Sequence, residues 1–266
     1  MQIHPSAIVH PGAELADDVE VQAFSIIEPG TRIGPGSVIG PHCIIGSGTV
    51  MGKNNRCYSG AQVGVAPQDL KHLRGVAGRT VIGDGNIFRE FVTISSSTVY
   101  EEESAEARAA KVTVIGDRCL FMACAHVAHD CRVGNGVIMA NHASLAGHVT
   151  VRDLAIFGGL TGVHQFCVVG DMAFIGGMSR INKDVLPYMI TEGNPARCHG
   201  PNAVGLERNG LSKDAVARIR AMYRILYRSN LNTRQALDRI EAEVDACDER
   251  RMLVDFVRAS KRGISK

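Results

Sequence analysis

An aliphatic or similarly sized residue recurs at every sixth position from the start of the chain, at Ile3, Val9, Leu15, Val21, Ile27 and Ile33, and onward through Ile39, Ile45, Met51, Cys57 and Val63. The register returns at Ile115 and runs through Phe121, Val127, Val133, Met139, Leu145 and Val151 to Ile181, with small or turn-forming residues between, as in I-G-P-G-S-V. Neither the helical nor the pleated-strand period is six. A hexapeptide repeat is the signature of a parallel β-helix, in which three hexads form one triangular coil and stacked coils bury their inward residues in a continuous core. Residues about 18 apart then become neighbours on adjacent coils.

Two segments break the register. V-A-P-Q-D-L-K-H-L-R-G-V-A-G-R interrupts it near 64–80, and the acidic Y-E-E-E-S-A-E-A-R-A-A-K near 99–112. Both predict loops leaving the solenoid, where binding residues concentrate. After Pro187 the pattern changes: Ser212 precedes apolar residues at Val216, Ile219, Met222, Tyr223 and Leu226, a helical spacing with an N-cap. Further helices are expected from Thr233 and from Glu249 to Ser260. The predicted fold class is therefore an all-β repeat, a parallel β-helix over 1–187, with a C-terminal α-helical cap over 188–266.

Composition refines this picture. Aromatics make up only 5% of the 266 residues and Trp is absent, which suits a core of stacked Ile and Val, while 29 glycines suit many tight corners. Eight cysteines include no C-x-x-C and several lie at or beside inward positions, so reduced, buried thiols are expected. The chain start has no basic segment followed by an apolar one, and no stretch of about 18 apolar residues occurs, so a cytoplasmic protein, not integral to a membrane, is expected. Net charge is +2, but residues 206–266 carry 14 Lys+Arg against 9 Asp+Glu, leaving 15 against 18 elsewhere. A basic tail on a mildly acidic body suggests an acidic partner, or else a solvated helix face.

Five of the ten histidines, His126, His129, His142, His148 and His164, fall within one stretch. The 18-residue rule makes the clustering three-dimensional: Asp130 stacks beside His148, His129 beside Gly147, and Gly147 beside Gln165. Histidine next to a carboxylate is the side chain best matched to taking a proton near neutral pH.

The segments A-H-V-A-H-D-C-R-V-G-N, L-A-G-H-V, G-G-L-T-G-V-H-Q-F and E-G-N-P-A, with P-Q-D-L-K and R-E-F-V-T-I earlier, closely resemble the UDP-N-acetylglucosamine O-acyltransferase family. The likeness extends over essentially the whole chain. It implies a left-handed β-helix, a homotrimer with sites in the clefts between subunits, and transfer of an (R)-3-hydroxyacyl group from acyl carrier protein to the 3-hydroxyl of a UDP-sugar, the first step of lipid A synthesis. By the same resemblance His129 is the catalytic base, Asp130 its orienting carboxylate and Gly147 the oxyanion donor. Gln68, Asp69 and Lys71 match acceptor-binding positions, and His126, His148, His164 and Gln165 match residues lining the sugar-nucleotide and acyl cleft. Asn202 and Arg208 match nucleotide contacts, and Gly177 the position that sets acyl length. Ser95, Ser96, Val204, Asn209 and Pro195 depart from familiar residues of the family, and the loop at 100–111 is longer and more acidic than usual.

Within the basic tail, Arg220, Arg224 and Arg228 share one helical face, a candidate docking surface for acyl carrier protein, while Arg218 points elsewhere. No cofactor, resident metal or nucleic-acid partner is expected. The competing readings are a γ-carbonic-anhydrase-like zinc enzyme using His126, His129 and His148, a non-catalytic hexapeptide scaffold, an acyltransferase acting on a 3-amino-sugar nucleotide, and one resembling the later N-acyltransferase of the pathway.

Overall fold

The computed structural model describes residues 1–265. Short strands stack into three sheets of 11, 9 and 8 strands, parallel except for the last pair of the first sheet, and the coil strands pair with those one coil before and after them. Register follows the hexad arithmetic: Gln2 pairs with Glu20, Ile26 with Ile44, and Arg132 with Thr150. Where the two loops leave, pairing jumps instead from Cys57 to Phe88 and from Thr80 to Thr113, and the coil closes on either side with a register shift between Val63 and Val65 where the first loop departs. The result is the parallel β-solenoid that the sixth-position pattern predicts.

Inward hexad residues are buried and stacked. Phe88 and Phe121 lie face to face on successive coils with centroids 5.2 Å apart, in a column that also stacks Cys57, Met139 and Phe157 among its inward side chains. A buried Val, Leu or Ile contributes roughly 1.5–3 kcal/mol from apolar burial, so the core is a sum of many equal layers. Only the first coil, with nothing beneath it, leaves its hexad residue Ile3 exposed. Cys43, Cys57, Cys119, Cys131 and Cys167 are buried free thiols, as expected of core-facing positions.

Coil corners turn through the left-handed backbone region, even at non-glycine residues: Asp130, His148 and Phe166, one above another, have φ of 58°, 61° and 64°. Each is held by its backbone N–H, which donates to Thr113 Oγ1, the His129 carbonyl and the Gly147 carbonyl respectively. These bonds offset a local strain of about 1–3 kcal/mol per corner.

The second loop contains a short helix, α1 (Ala105–Ala110), N-capped by Ser104. Beyond the coil, the strands Met189–Gly193 and Ala196–Pro201 form an antiparallel hairpin on the end of the first sheet. Helical structure begins only after it, with α2 (Ala203–Arg208), α3 (Lys213–Arg228), α4 (Thr233–Glu243) and α5 (Asp248–Ala259). Ser212 caps α3 as its position suggests, and Asn232 caps α4 reciprocally with Gln235. The apolar faces of α3, α4 and α5 pack into a second core with Leu186, Tyr188 and Met189.

Candidate active site

His129 and Asp130 form one corner of a coil, and the left-handed turn at Asp130 folds its carboxylate back toward the preceding ring. His129 Nδ1 lies 2.9 Å from Asp130 Oδ2. The same carboxylate accepts a 2.8 Å hydrogen bond from Thr98 Oγ1 and weaker contact from the Thr98 N–H. Burial pushes the Asp130 carboxyl up, but the bonds from His129 and Thr98 outweigh it and hold the group below the ordinary carboxylate range. An ionised carboxylate can only accept, so Nδ1 carries the ring proton and Nε2 of the neutral imidazole is left as the lone-pair nitrogen.

Two groups face Nε2. Asp69 Oδ2, from the first loop, stands 4.0 Å away. On the next coil Gly147 lies directly against the ring, where a Cβ would come within 2.7 Å of Nε2. Among the described residues the Gly147 N–H donates to no other group of the chain, leaving a donor beside the base. His148 meets the His129 ring edge-on at 5.2 Å, stacks on Phe166 at 4.7 Å, and places Nε2 3.8 Å from Asp130 Oδ2. Burial lowers the basicity of His148, partly countered by the Asp130 charge.

The other candidates are distributed around this centre. His126, whose Nδ1 is 2.7 Å from Thr93 Oγ1, and His164 line a groove of about 460 Å³ together with Ser144, Gly162 and Arg180. Burial lowers the His126 basicity too. Gln165 is exposed beside His164, and Gln68 and Lys71 are exposed on the first loop, where the Lys71 N–H donates to Asp69 Oδ1 at 2.8 Å. Gly177 is exposed, and a Cβ there would meet nothing closer than the Gly159 carbonyl at 3.3 Å. Asn202 and Arg208 are not brought into this cluster. The Asn202 amide caps α2 through Gly205 and donates to the Met172 carbonyl, while Arg208 is exposed in the last turn. On α3, Arg220, Arg224 and Arg228 are exposed, whereas Arg218 pairs with Glu249 at 3.3 Å.

Several site residues carry no signal in the sequence. Thr98, Tyr100, Lys111 and Thr113 all reach the centre from the second loop and its edges, and Arg180 from the face of the second sheet. Among the described residues, the three groups close enough to share a cation are His129, Asp130 and His148, not the three histidines of the zinc reading, and His126 instead meets Thr93.

Comparison with known proteins distinguishes the readings. The acyl-[acyl-carrier-protein]--UDP-N-acetylglucosamine O-acyltransferase of Burkholderia orbicola is 45% identical over 99% of this chain and 98% of its own, and that of an Anaeromyxobacter species is 42% identical over 100% of both. The chain belongs to the UDP-N-acetylglucosamine O-acyltransferase family. The family profile described as "Udp N-acetylglucosamine O-acyltransferase; Domain 2" matches residues 184–265, and that of the "Bacterial transferase hexapeptide (six repeats)" matches 23–53 and 113–147. Solved structures of LpxA from Acinetobacter baumannii and from Bacteroides fragilis superpose with TM-scores of 0.91 and 0.92, at 38% and 39% identity. They cover 100% of both chains in the first case and 99% of both in the second. The zinc-enzyme and scaffold readings are not favoured beside membership in this acyltransferase family.

Proposed function

We propose that the protein transfers an (R)-3-hydroxyacyl group from acyl carrier protein to the 3-hydroxyl of UDP-N-acetylglucosamine, with His129 as general base. The observation that carries the mechanism is the His129 ring itself, fixed by Asp130 at one nitrogen and open beside the Gly147 N–H at the other. A sugar hydroxyl is too weak an acid to ionise near neutral pH, so its proton passes to Nε2 as its oxygen attacks the thioester carbonyl carbon. The developing oxyanion meets the Gly147 N–H, a donor already in place. Collapse expels the carrier thiolate, which takes the proton back from the His129 imidazolium and leaves the ester on the sugar. Asp130 stays ionised throughout, holding the tautomer and stabilising the imidazolium.

On this reading Gln68, Asp69 and Lys71 meet the acceptor, and a lysine is a suitable mobile charge for its pyrophosphate. His126, His148, His164 and Gln165 line the cleft, Asn202 and Arg208 serve the nucleotide, and Arg220, Arg224 and Arg228 dock the carrier protein. The space above Gly177 admits a long acyl chain. We further infer a homotrimer with sites between subunits, working in the cytoplasm at the start of lipid A synthesis. In support of self-association, the outward row of the first sheet is apolar over six successive strands, through Ile87, Leu120, Ile138, Ile156, Phe174 and Ile190. Among the described residues, no helix is long and apolar enough to cross a membrane.

The test is an assay of purified protein with a ladder of hydroxyacyl carrier proteins against UDP-N-acetylglucosamine and its 3-amino analogue. Formation of the 3-O-ester, fastest with one donor length, is expected. Transfer only to the amine would move the acceptor assignment, and no transfer to either would refute the reading.

A further inference from the structure

The second loop, which the mechanism above does not use, reaches the reacting nitrogen through a single side chain. Tyr100 Oη donates a 2.9 Å hydrogen bond to Asp69 Oδ2, the oxygen that stands 4.0 Å from His129 Nε2. Tyr100 is itself held from several directions. Its N–H donates to Glu103 Oε2, its carbonyl accepts from Arg108, and Lys111 Nζ sits 4.1 Å over its ring. Lys111 pairs with Glu103 and donates to Thr98 Oγ1, which in turn donates to Asp130. The two loops are also tied through their backbones: the Leu73 N–H donates to the Val99 carbonyl, and the Val99 N–H to His72 Nδ1. One anchored scaffold thus touches the catalytic histidine from both sides, through Asp130 at Nδ1 and Asp69 at Nε2.

We propose that Tyr100 is a positioning residue: it holds the Asp69 carboxylate short of His129 Nε2, so that this nitrogen's lone pair stays open to the acceptor hydroxyl. The inference rests on His129 being the base. A second carboxylate at this distance has an obvious alternative. Without its partner, Asp69 Oδ2 can close from 4.0 Å to hydrogen-bonding range on the imidazolium, adding a charge-assisted hydrogen bond to the attraction already present and so favouring the protonated ring further. The base would then be occupied and protonated before substrate arrives. Lys71 N–H and Tyr100 Oη each take one oxygen of Asp69, and the Tyr100 bond is the one that restrains the oxygen facing His129. The other groups facing His129 are Asp130 at Nδ1, the His148 ring edge-on and His126 on the same coil, with the Lys111–Glu103 pair one step beyond Thr98.

The experiment compares pH profiles of kcat/KM for the wild type, Tyr100→Phe, Asp69→Asn and the double variant. Phenylalanine keeps the ring beneath Lys111 and removes only the hydroxyl. The acidic limb of Tyr100→Phe is expected to move up by about one pH unit, with the rate recovering to within a few-fold of wild type on the alkaline plateau. Adding Asp69→Asn should cancel the displacement, bringing the double variant onto the Asp69→Asn profile. An unmoved limb, a loss equal at every pH, or a displacement that persists without the Asp69 charge would each overturn the assignment. None of these touches the base itself, whose failure would show instead as full activity in His129→Ala.

Discussion

The imidazole of His129 lies so close over Gly147 that an ideal Cβ on Gly147 would stand 2.4 Å from its Cε1. The backbone at Gly147 is not in the left-handed region, so conformation does not demand glycine there. The demand comes from the neighbour one coil below, which ties the position of the base to the absence of a side chain at the proposed oxyanion donor.

Gly147→Ala should therefore fold normally yet displace the His129 ring. A misplacement near 1 Å can cost on the order of 100-fold in rate. Steady-state kinetics on a variant with wild-type melting temperature and size should show a fall in kcat of that order, with little change in acceptor KM. Unchanged kcat would mean that the ring and Gly147 do not share the reacting centre.

Acid stability should fall in two stages. His126 and His148 are lowered from an ordinary value of 6.5, each first of all by burial, so the unfolded chain binds more protons than the folded one as pH drops below that value. Asp69 and Asp130 are lowered from 3.8: Asp69 chiefly by the Lys71 N–H, Asp130 because bonds from His129 and Thr98 outweigh the opposing effect of burial. Their contribution is present above 3.8 and is lost as pH falls through their folded values. Melting temperature measured against pH should decline first below 6.5 and again below 3.8. His148→Asn, which keeps a residue tolerant of the left-handed corner, should shrink the first stage. A first stage unchanged in that variant would contradict the burial argument.

Docking of the carrier protein on α3 should be visible in salt. Attraction between exposed charges is screened over about 8–10 Å at physiological ionic strength, so donor KM should rise with added salt while acceptor KM moves less. Reversing Arg220 and Arg224 to Glu should raise donor KM and flatten its salt response. Arg218→Gln, which loses the pair with Glu249 on another face, should do neither. Equal donor KM in the reversed and native proteins would leave α3 as a lid with a solvated face.

Much of the site is legible in the sequence because one rule governs the coil. A spacing of 18 is enough to put Gly147 beside His129 and His148 beside Asp130, and the same rule gives the strand register. The rule stops at the loops. Tyr100 meets Asp69 across 31 positions, and Thr98 meets Asp130 across 32, because inserted segments fold back by contacts of their own. The acidic composition of residues 100–111 hides Lys111, which pairs with Glu103 inside that segment and so gives no sign of free charge. The Met189–Pro201 hairpin is likewise silent, since it follows neither the hexad period nor the helical one.

The most direct test of the mechanism is the rate of acyl transfer by His129→Ala. The ring is not part of either core, and Asp130 keeps its bonds from Thr98, so the variant should retain its fold and its assembly. Loss of general-base assistance predicts a fall in kcat/KM of at least about 100-fold from acyl carrier protein to UDP-N-acetylglucosamine. Near-normal transfer by a folded His129→Ala protein would contradict the account at its centre.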